Sequence, residues 1–166
     1  MNLVIFGPPG AGKGTQSKLI TKNFNFYQIS TGELLRNEIE KNSELGIKIS
    51  SIINSGDLVS DDIVSELIKK FISNIKYQNR IVFDGYPRNL SQARILDDLL
   101  KQNNQKIDLV LKLSVSLKTI KKRISERKNL EKRTDDSEEV AVKRYDTYEK
   151  NSKPVLDFYE QSGLLK

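Results

Sequence analysis

The chain has 166 residues, 37% of them apolar and 30% charged, with a formal net charge of +6 and neither cysteine nor histidine. That length and balance fit one soluble globular domain with a real core. They exclude a disulfide scaffold, thiolate or imidazole metal sites and imidazole acid–base chemistry, and no apolar run is long enough for a membrane span. The N-terminus opens directly on Met1-Asn2-Leu3-Val4-Ile5-Phe6-Gly7. It has no basic segment and no cleavage site, so no signal peptide is expected and a cytoplasmic location is the default. Much of the positive excess is Lys spread over helical stretches, as at Lys69-Lys70 and Lys121-Lys122. It reads as solvated helix faces rather than as a nucleic-acid footprint.

Leu3 to Phe6 is a short apolar run, the pattern of a buried parallel strand. Residues 7–12 are rich in Gly and Pro, and a helical pattern follows through Gln16, Leu19 and Ile20. Gln28-Ile29-Ser30 suggests a second strand. Ser30-Thr31-Gly32-Glu33 reads as a capping box that opens a helix through Leu34, Leu35 and Ile39. Residues 44–54 suggest another helix, stopped near Ser55-Gly56. Ser60 or Asp61 caps a longer one bearing Ile63, Val64, Leu67, Ile68 and Phe71. A strand is expected at Arg80–Gly85, then a helix capped by Ser91 with Ile95, Leu96, Leu99 and Leu100. A strand at Asp108–Leu113 precedes a helix from Ser116 through Leu117, Ile120 and Ile124. Residues 138–150 are helical, and Pro154 breaks the pattern or starts a new helix. Strands alternating with helices predict an α/β fold with a parallel sheet.

The strongest chemical signal is Gly7-Pro8-Pro9-Gly10-Ala11-Gly12-Lys13-Gly14-Thr15. Glycines let a backbone close around an anion with its N–H groups inward. The following helix adds the positive end of its dipole, and Lys13 adds a point charge. Strand, glycines, lysine, hydroxyl and helix fall in order, which a plain glycine turn does not require. The hydroxyl stands one place later than in the general pattern, at Thr15 behind Gly14. The run Gly12-Lys13-Gly14-Thr15 resembles adenylate kinase and its nearest relatives, and the resemblance extends over nearly the whole chain.

Ser30 to Arg36 resembles that family's monophosphate-binding segment, in which Thr31 and Arg36 contact the acceptor. Ser30 and Glu33 are accounted for by helix capping. Gly56-Asp57-Leu58-Val59 resembles the next contact, where the backbone of Asp57, Leu58 and Val59 meets the base. Asp84-Gly85-Tyr86-Pro87-Arg88-Asn89 matches a family motif. It places Asp84 at a strand end, where an acid can orient a Mg²⁺ water shell. Arg88 would clamp the acceptor phosphate with its planar fork, and Gln92 would read the adenine edge. The similar UMP/CMP kinases tend to carry Ala and Asn where this chain has Thr31 and Gln92. Arg123, Arg127, Arg133 and Arg144 resemble the lid and its flanks, whereas Lys128, Lys132 and Lys143 read as solvated. Five residues, Lys128 to Lys132, separate Arg127 from Arg133, as in short-lid members. A zinc-bearing lid is excluded for want of Cys and His.

The resemblance therefore implies a P-loop three-layer fold with a central parallel sheet flanked by helices, in a single kinase domain spanning residues 1–166. Its core would comprise residues 1–29, 60–126 and 134–166, with a helical monophosphate-binding insertion at 30–59 and a short lid at 127–133. It implies direct, Mg²⁺-dependent, in-line transfer from ATP to AMP. Gly10, Ala11, Gly12, Lys13, Gly14, Thr15, Arg123 and Arg127 would bind ATP. Thr31, Arg36, Asp57, Leu58, Val59, Gly85, Tyr86, Pro87, Arg88, Gln92, Arg133 and Arg144 would bind AMP. Lys13, Arg88, Arg123, Arg133 and Arg144 would carry the chemistry. Asp84 would serve the metal through water, with Thr15 a candidate beside it. ATP, AMP and ADP are the expected partners, without nucleic acid, membrane or zinc, and a monomer is expected. Family members normally continue past Lys166 through an edge strand and a final helix, so a bare sheet edge beside residues 108–113 and a looser grip on the ATP base are expected. The alternatives are a UMP/CMP-type kinase and a shortened nucleotide-binding protein with weak activity.

Overall fold

The computed structural model describes residues 1–131 and 137–166. The apolar runs become four strands: β1 (Leu3–Phe6), β2 (Tyr27–Ser30), β3 (Ile81–Asp84) and β4 (Leu109–Lys112). All pair in parallel, in the order β2-β3-β1-β4, with Val4 opposite both Phe83 and Val110. Parallel neighbours need long crossovers. These are supplied by helices α1 (Lys13–Phe24), α2 (Thr31–Glu40), α3 (Glu44–Asn54), α4 (Asp61–Ile72), α5 (Leu90–Gln102), α6 (Leu117–Glu131) and α7 (Glu138–Gln161). The expected α/β fold with a central parallel sheet is observed.

Successive strand side chains point to opposite faces. Val4, Phe6, Ile81 and Phe83 face the main core, shared with Ile68 of α4, Leu96 of α5 and Val155 of α7. Leu3, Ile5 and Val82 face the other way, against Ile20 of α1. The sheet is thus the middle of three layers. Each fully buried side chain of this kind contributes roughly 1.5–3 kcal/mol. Among the described residues no helix is long and apolar enough to cross a membrane.

Several boundaries differ from expectation. The cap of α5 is Asn89, whose side chain accepts from the Gln92 N–H at 2.8 Å, and Ser91 falls inside the first turn. Asn caps as well as Ser and stands earlier, where the chain is still extended. Ser60 precedes α4 without a side-chain cap bond. The carboxylate of Asp61 instead turns toward Asn89 and Gln92. Pro154 neither breaks nor restarts α7, which runs unbroken through it. A proline inside a helix costs about 3 kcal/mol, but Val155 and Tyr159 beyond it are fully buried. Tyr148 before it packs on Phe6, ring centroids 5.9 Å apart. Packing on both sides holds the helix together.

The edge of β4 is not bare. Gly163 (φ 70°) closes α7, with the Leu164 N–H donating back to the Tyr159 carbonyl at 3.0 Å, a left-handed helix end that glycine favours. The chain then turns along β4. The Val110 and Lys112 N–H groups donate to Leu164 and Lys166, and the Lys166 N–H donates to Val110, each at 2.9 Å.

Helices α2 and α3 meet backbone to backbone at Gly46. A Cβ there would lie 2.1 Å from the Glu38 carbonyl oxygen, a contact only displacement can relieve. Gly46→Ala is expected to destabilise the protein by about 1–3 kcal/mol, read as a lower midpoint in urea denaturation.

Candidate active site

Parallel strands deliver their carboxyl ends to one edge of the sheet, where open α/β folds bind ligands. At that edge β1 runs into the glycine-rich loop. Gly10 (φ 77°) and Gly12 (φ 96°) occupy the left-handed region, and the Ala11 N–H closes the turn onto the Pro8 carbonyl at 3.1 Å. Lys13 then starts α1. Its ammonium donates to the carbonyls of Gly7 at 2.8 Å and Pro8 at 3.0 Å. The residue as a whole keeps intermediate accessibility, but its charged end is enclosed. Removal from water pushes its pKa down to about 8. The Asp84 carboxylate opposes that shift, and the guanidiniums of Arg88, Arg127 and Arg144 reinforce it. The loop holds more positive charge than its own groups neutralise, which is the electrostatics of an anion site.

Helix α6 lies over this loop. Arg123 donates Nη1 to the Ala11 carbonyl at 3.1 Å, and Ile124 packs so close that a Cβ at Gly10 would be 3.1 Å from its side chain. Arg127, one turn further along α6, lines the same cleft. Arg144 on α7 lines it as well, with its stem against Gly56. Arg133 lies outside the described residues.

The acceptor-side residues converge at the ends of β2 and β3. Thr31 is buried at the start of α2, and its hydroxyl donates to the Gly85 carbonyl at 2.8 Å. Arg88 Nε donates to the same carbonyl at 2.7 Å. One backbone oxygen thereby fixes both. Arg36 borders the cleft, and Gly32 leaves room for it: a Cβ there would lie 3.2 Å from Nη1. Asp57, Leu58, Val59, Gly85 and Pro87 line the cleft too. Tyr86 does not. It is 1% exposed, and its hydroxyl meets Ser65 at 3.3 Å. The Asp57 carboxylate pairs with Lys143 at 2.8 Å. That contact, with the Ser55 hydroxyl, holds its carboxyl below the usual range. Lys143 is therefore a partner of the acceptor segment, not merely solvated.

Asp84 sits buried at the end of β3, where Gln28 Nε2 donates to its Oδ2 at 2.9 Å. Gly14 lies beside the same oxygen, with an ideal Cβ 3.5 Å away, and Thr15 is exposed in the cleft. Among the described residues no group of three or more carboxylates, His or Cys could hold a metal. One buried carboxylate with a nearby hydroxyl fits Mg²⁺ held mainly by water and phosphate oxygens. Sequence reasoning missed Gln28 as the partner of Asp84, although an amide beside the buried Ile29 on a short strand was a usable signal.

Loop and acceptor segment border one cleft of about 690 Å³, a size suited to small organic ligands. A family model described as "Adenylate kinase" matches residues 5–164. The adenylate kinase of Pelagibacter ubique (strain HTCC1062) is 43% identical over 189 aligned positions, covering 98% of this chain and 89% of that protein. The adenylate kinase of Xanthomonas campestris pv. campestris (strain B100) is 42% identical, covering 99% and 88%. That of Maricaulis maris (strain MCS10) is 40% identical, covering 100% and 88%. These similarities span the phosphate loop, the acceptor segment and both arginine-bearing helices together, and the chain belongs to the adenylate kinase family.

Proposed function

We propose that this protein transfers the terminal phosphoryl group of MgATP directly to AMP, reversibly, giving two molecules of ADP. The observation that carries this reading is the single cleft bordered by both the Lys13 loop and the Thr31–Arg36–Arg88 acceptor cluster. Two polyanions laid end to end there would meet among fixed cations. Phosphoryl transfer needs in-line positioning and charge stabilisation, with little covalent help from protein.

The backbone of Gly10 to Thr15, with Lys13, would hold the ATP phosphates, and Arg127 would grip the donor side. Thr31, Arg36, Arg88 and Gln92 would hold AMP, with residues 57–59, Gly85 and Pro87 shaping its pocket and the buried Tyr86 serving the core behind them. Arg123, Arg144 and Arg133 would neutralise charge on the passing group. Asp84, through water, and Thr15 would hold Mg²⁺, which when bound would add neutralisation of phosphate charge. The acceptor is already an anionic oxygen, so no residue must remove a proton. Residues 30–59 are assigned as the acceptor insertion and 127–133 as the lid. Of that lid, 127–131 continue α6, and 132–133 lie outside the described residues. A monomeric cytoplasmic enzyme is the expectation.

The deciding assay gives the purified protein Mg²⁺, ATP and in turn AMP, CMP, UMP or GMP, and measures diphosphate. ADP formation with AMP, well above the other acceptors, is expected, and no ADP at any workable concentration overturns the reading. Lys13→Met is expected to lower kcat at least about hundredfold. It should keep or raise the thermal midpoint, because an ammonium whose pKa is depressed by folding costs stability below pH 8. Arg88→Lys should slow transfer roughly ten- to hundredfold, since an ammonium cannot make the paired contact. Lys13 loses its proton in the free protein near pH 8. kcat/KM for ATP should therefore fall above that pH, while kcat, which reports the complex with the phosphates bound, holds to higher pH.

A further inference from the structure

Both polar atoms of the Gln92 side chain are already engaged. Nε2 donates to Asp61 Oδ1 at 2.8 Å, and Oε1 accepts from the Arg88 backbone N–H at 2.8 Å. Asn89 completes the arrangement: its Nδ2 donates to Asp61 Oδ1 at 3.0 Å and Oδ2 at 3.3 Å, and its Oδ1 accepts from the Gln92 N–H at 2.8 Å. Gln92 is only 1% exposed, yet it borders the cleft. Asp61, at the first position of α4, stands behind it and is not among the residues lining the cleft.

A carboxylate only accepts hydrogen bonds, and an N–H only donates. An amide turned by 180° would set its oxygen against Asp61 and its NH₂ against the Arg88 N–H, losing both bonds at once. Asp61 therefore determines which end of the Gln92 amide is the donor. Each end keeps spare capacity, a second hydrogen on Nε2 and a second lone pair on Oε1. A 6-aminopurine presents a ring-nitrogen acceptor beside an amino donor. A 6-oxopurine presents a ring N–H donor beside a carbonyl acceptor, the inverse pattern. A donor–acceptor pair of fixed polarity can match one of these and oppose the other at both atoms.

We propose that Asp61 is a positioning residue that sets acceptor-base selectivity: by fixing the polarity of Gln92 it favours a 6-amino over a 6-oxopurine monophosphate. The proposal rests on the reading of this cleft as an AMP-type acceptor site. Its test compares AMP with IMP, which differ only along the recognised edge, in wild type, Asp61→Ala and Asp61→Asn. Turnover with ATP is measured, and so is equilibrium binding of each monophosphate by calorimetry, which needs no turnover.

Wild type should prefer AMP over IMP at least about hundredfold in kcat/KM. Asp61→Ala should raise KM for AMP roughly tenfold and cut the AMP-to-IMP ratio at least tenfold, with KM for ATP within about twofold. Asp61→Asn should restore the ratio to within about threefold of wild type, because its amide oxygen still accepts from Gln92 and Asn89. If Asp61→Ala does not fold, Asp61→Ser, which also suits a helix start, carries the same expectations. An unchanged ratio in the Ala or Ser variant, or equal losses for AMP and IMP, overturns the role of Asp61. A wild type that neither binds nor phosphorylates AMP instead overturns the reading of the cleft, so the two failures are distinguishable.

Discussion

The Lys13 ammonium is enclosed in a loop that offers it two carbonyls, while the Asp84 carboxylate at the end of β3 attracts it and the guanidiniums of Arg88, Arg127 and Arg144 repel it. The rest of the architecture serves that imbalance. A parallel sheet brings its strand ends to one edge, two glycines with positive φ let the loop close there, and α6 covers it through Arg123 and Ile124. Such a concentration of charge would be unfavourable without an anion. With one, the same charge becomes preorganised binding energy in a place partly withdrawn from water.

The acceptor half rests on a different device. Several of its side chains are held by one shared backbone oxygen and by buried amides, with the carboxylates of Asp61 and Asp57 as further partners. The Gly85 carbonyl takes both Thr31 and Arg88, and Gln92 ties the start of α5 to the start of α4. Gly32 and Gly46 contribute by what they lack: one leaves space for Arg36, and the other lets α2 and α3 touch. A substrate entering this half meets groups already aimed, so less freedom is lost on binding.

Much of this was legible in the sequence, and the divide between legible and hidden is physical. The four strands and the Lys13 loop are local patterns, set by residues adjacent in the chain. Thr31, Arg36 and Arg88 could be singled out because each stands in a short motif, and Gln92 because it closely follows one. Asp61 could not be seen as the partner of Gln92, since 31 residues separate them and only folding brings them together. Gln28 and Asp84 are 56 apart, so their pairing was hidden for the same reason, although the amide on a short strand marked Gln28 itself. The pairing of residues 164–166 with β4 was too short to show any period. Pro154 misled in the opposite sense: its local preference is real, but the burial of Val155 and Tyr159 overrides it. Tyr86 sits within a ligand-type motif, yet its ring serves the core.

The continuity of α7 has a mechanical consequence. Its 24 residues form a rod of roughly 36 Å. Near its beginning stands Arg144, and toward its end Val155 and Tyr159 are sunk among the side chains beneath the sheet. The arginine is thus mounted on a strut footed at its far end in the protein's oily interior and braced next to the arginine by Ala141 and Tyr145 against Ile120 and Ile124 of α6. A change of packing at either footing would therefore reach the guanidinium through the helix, without altering any other residue that borders the cleft.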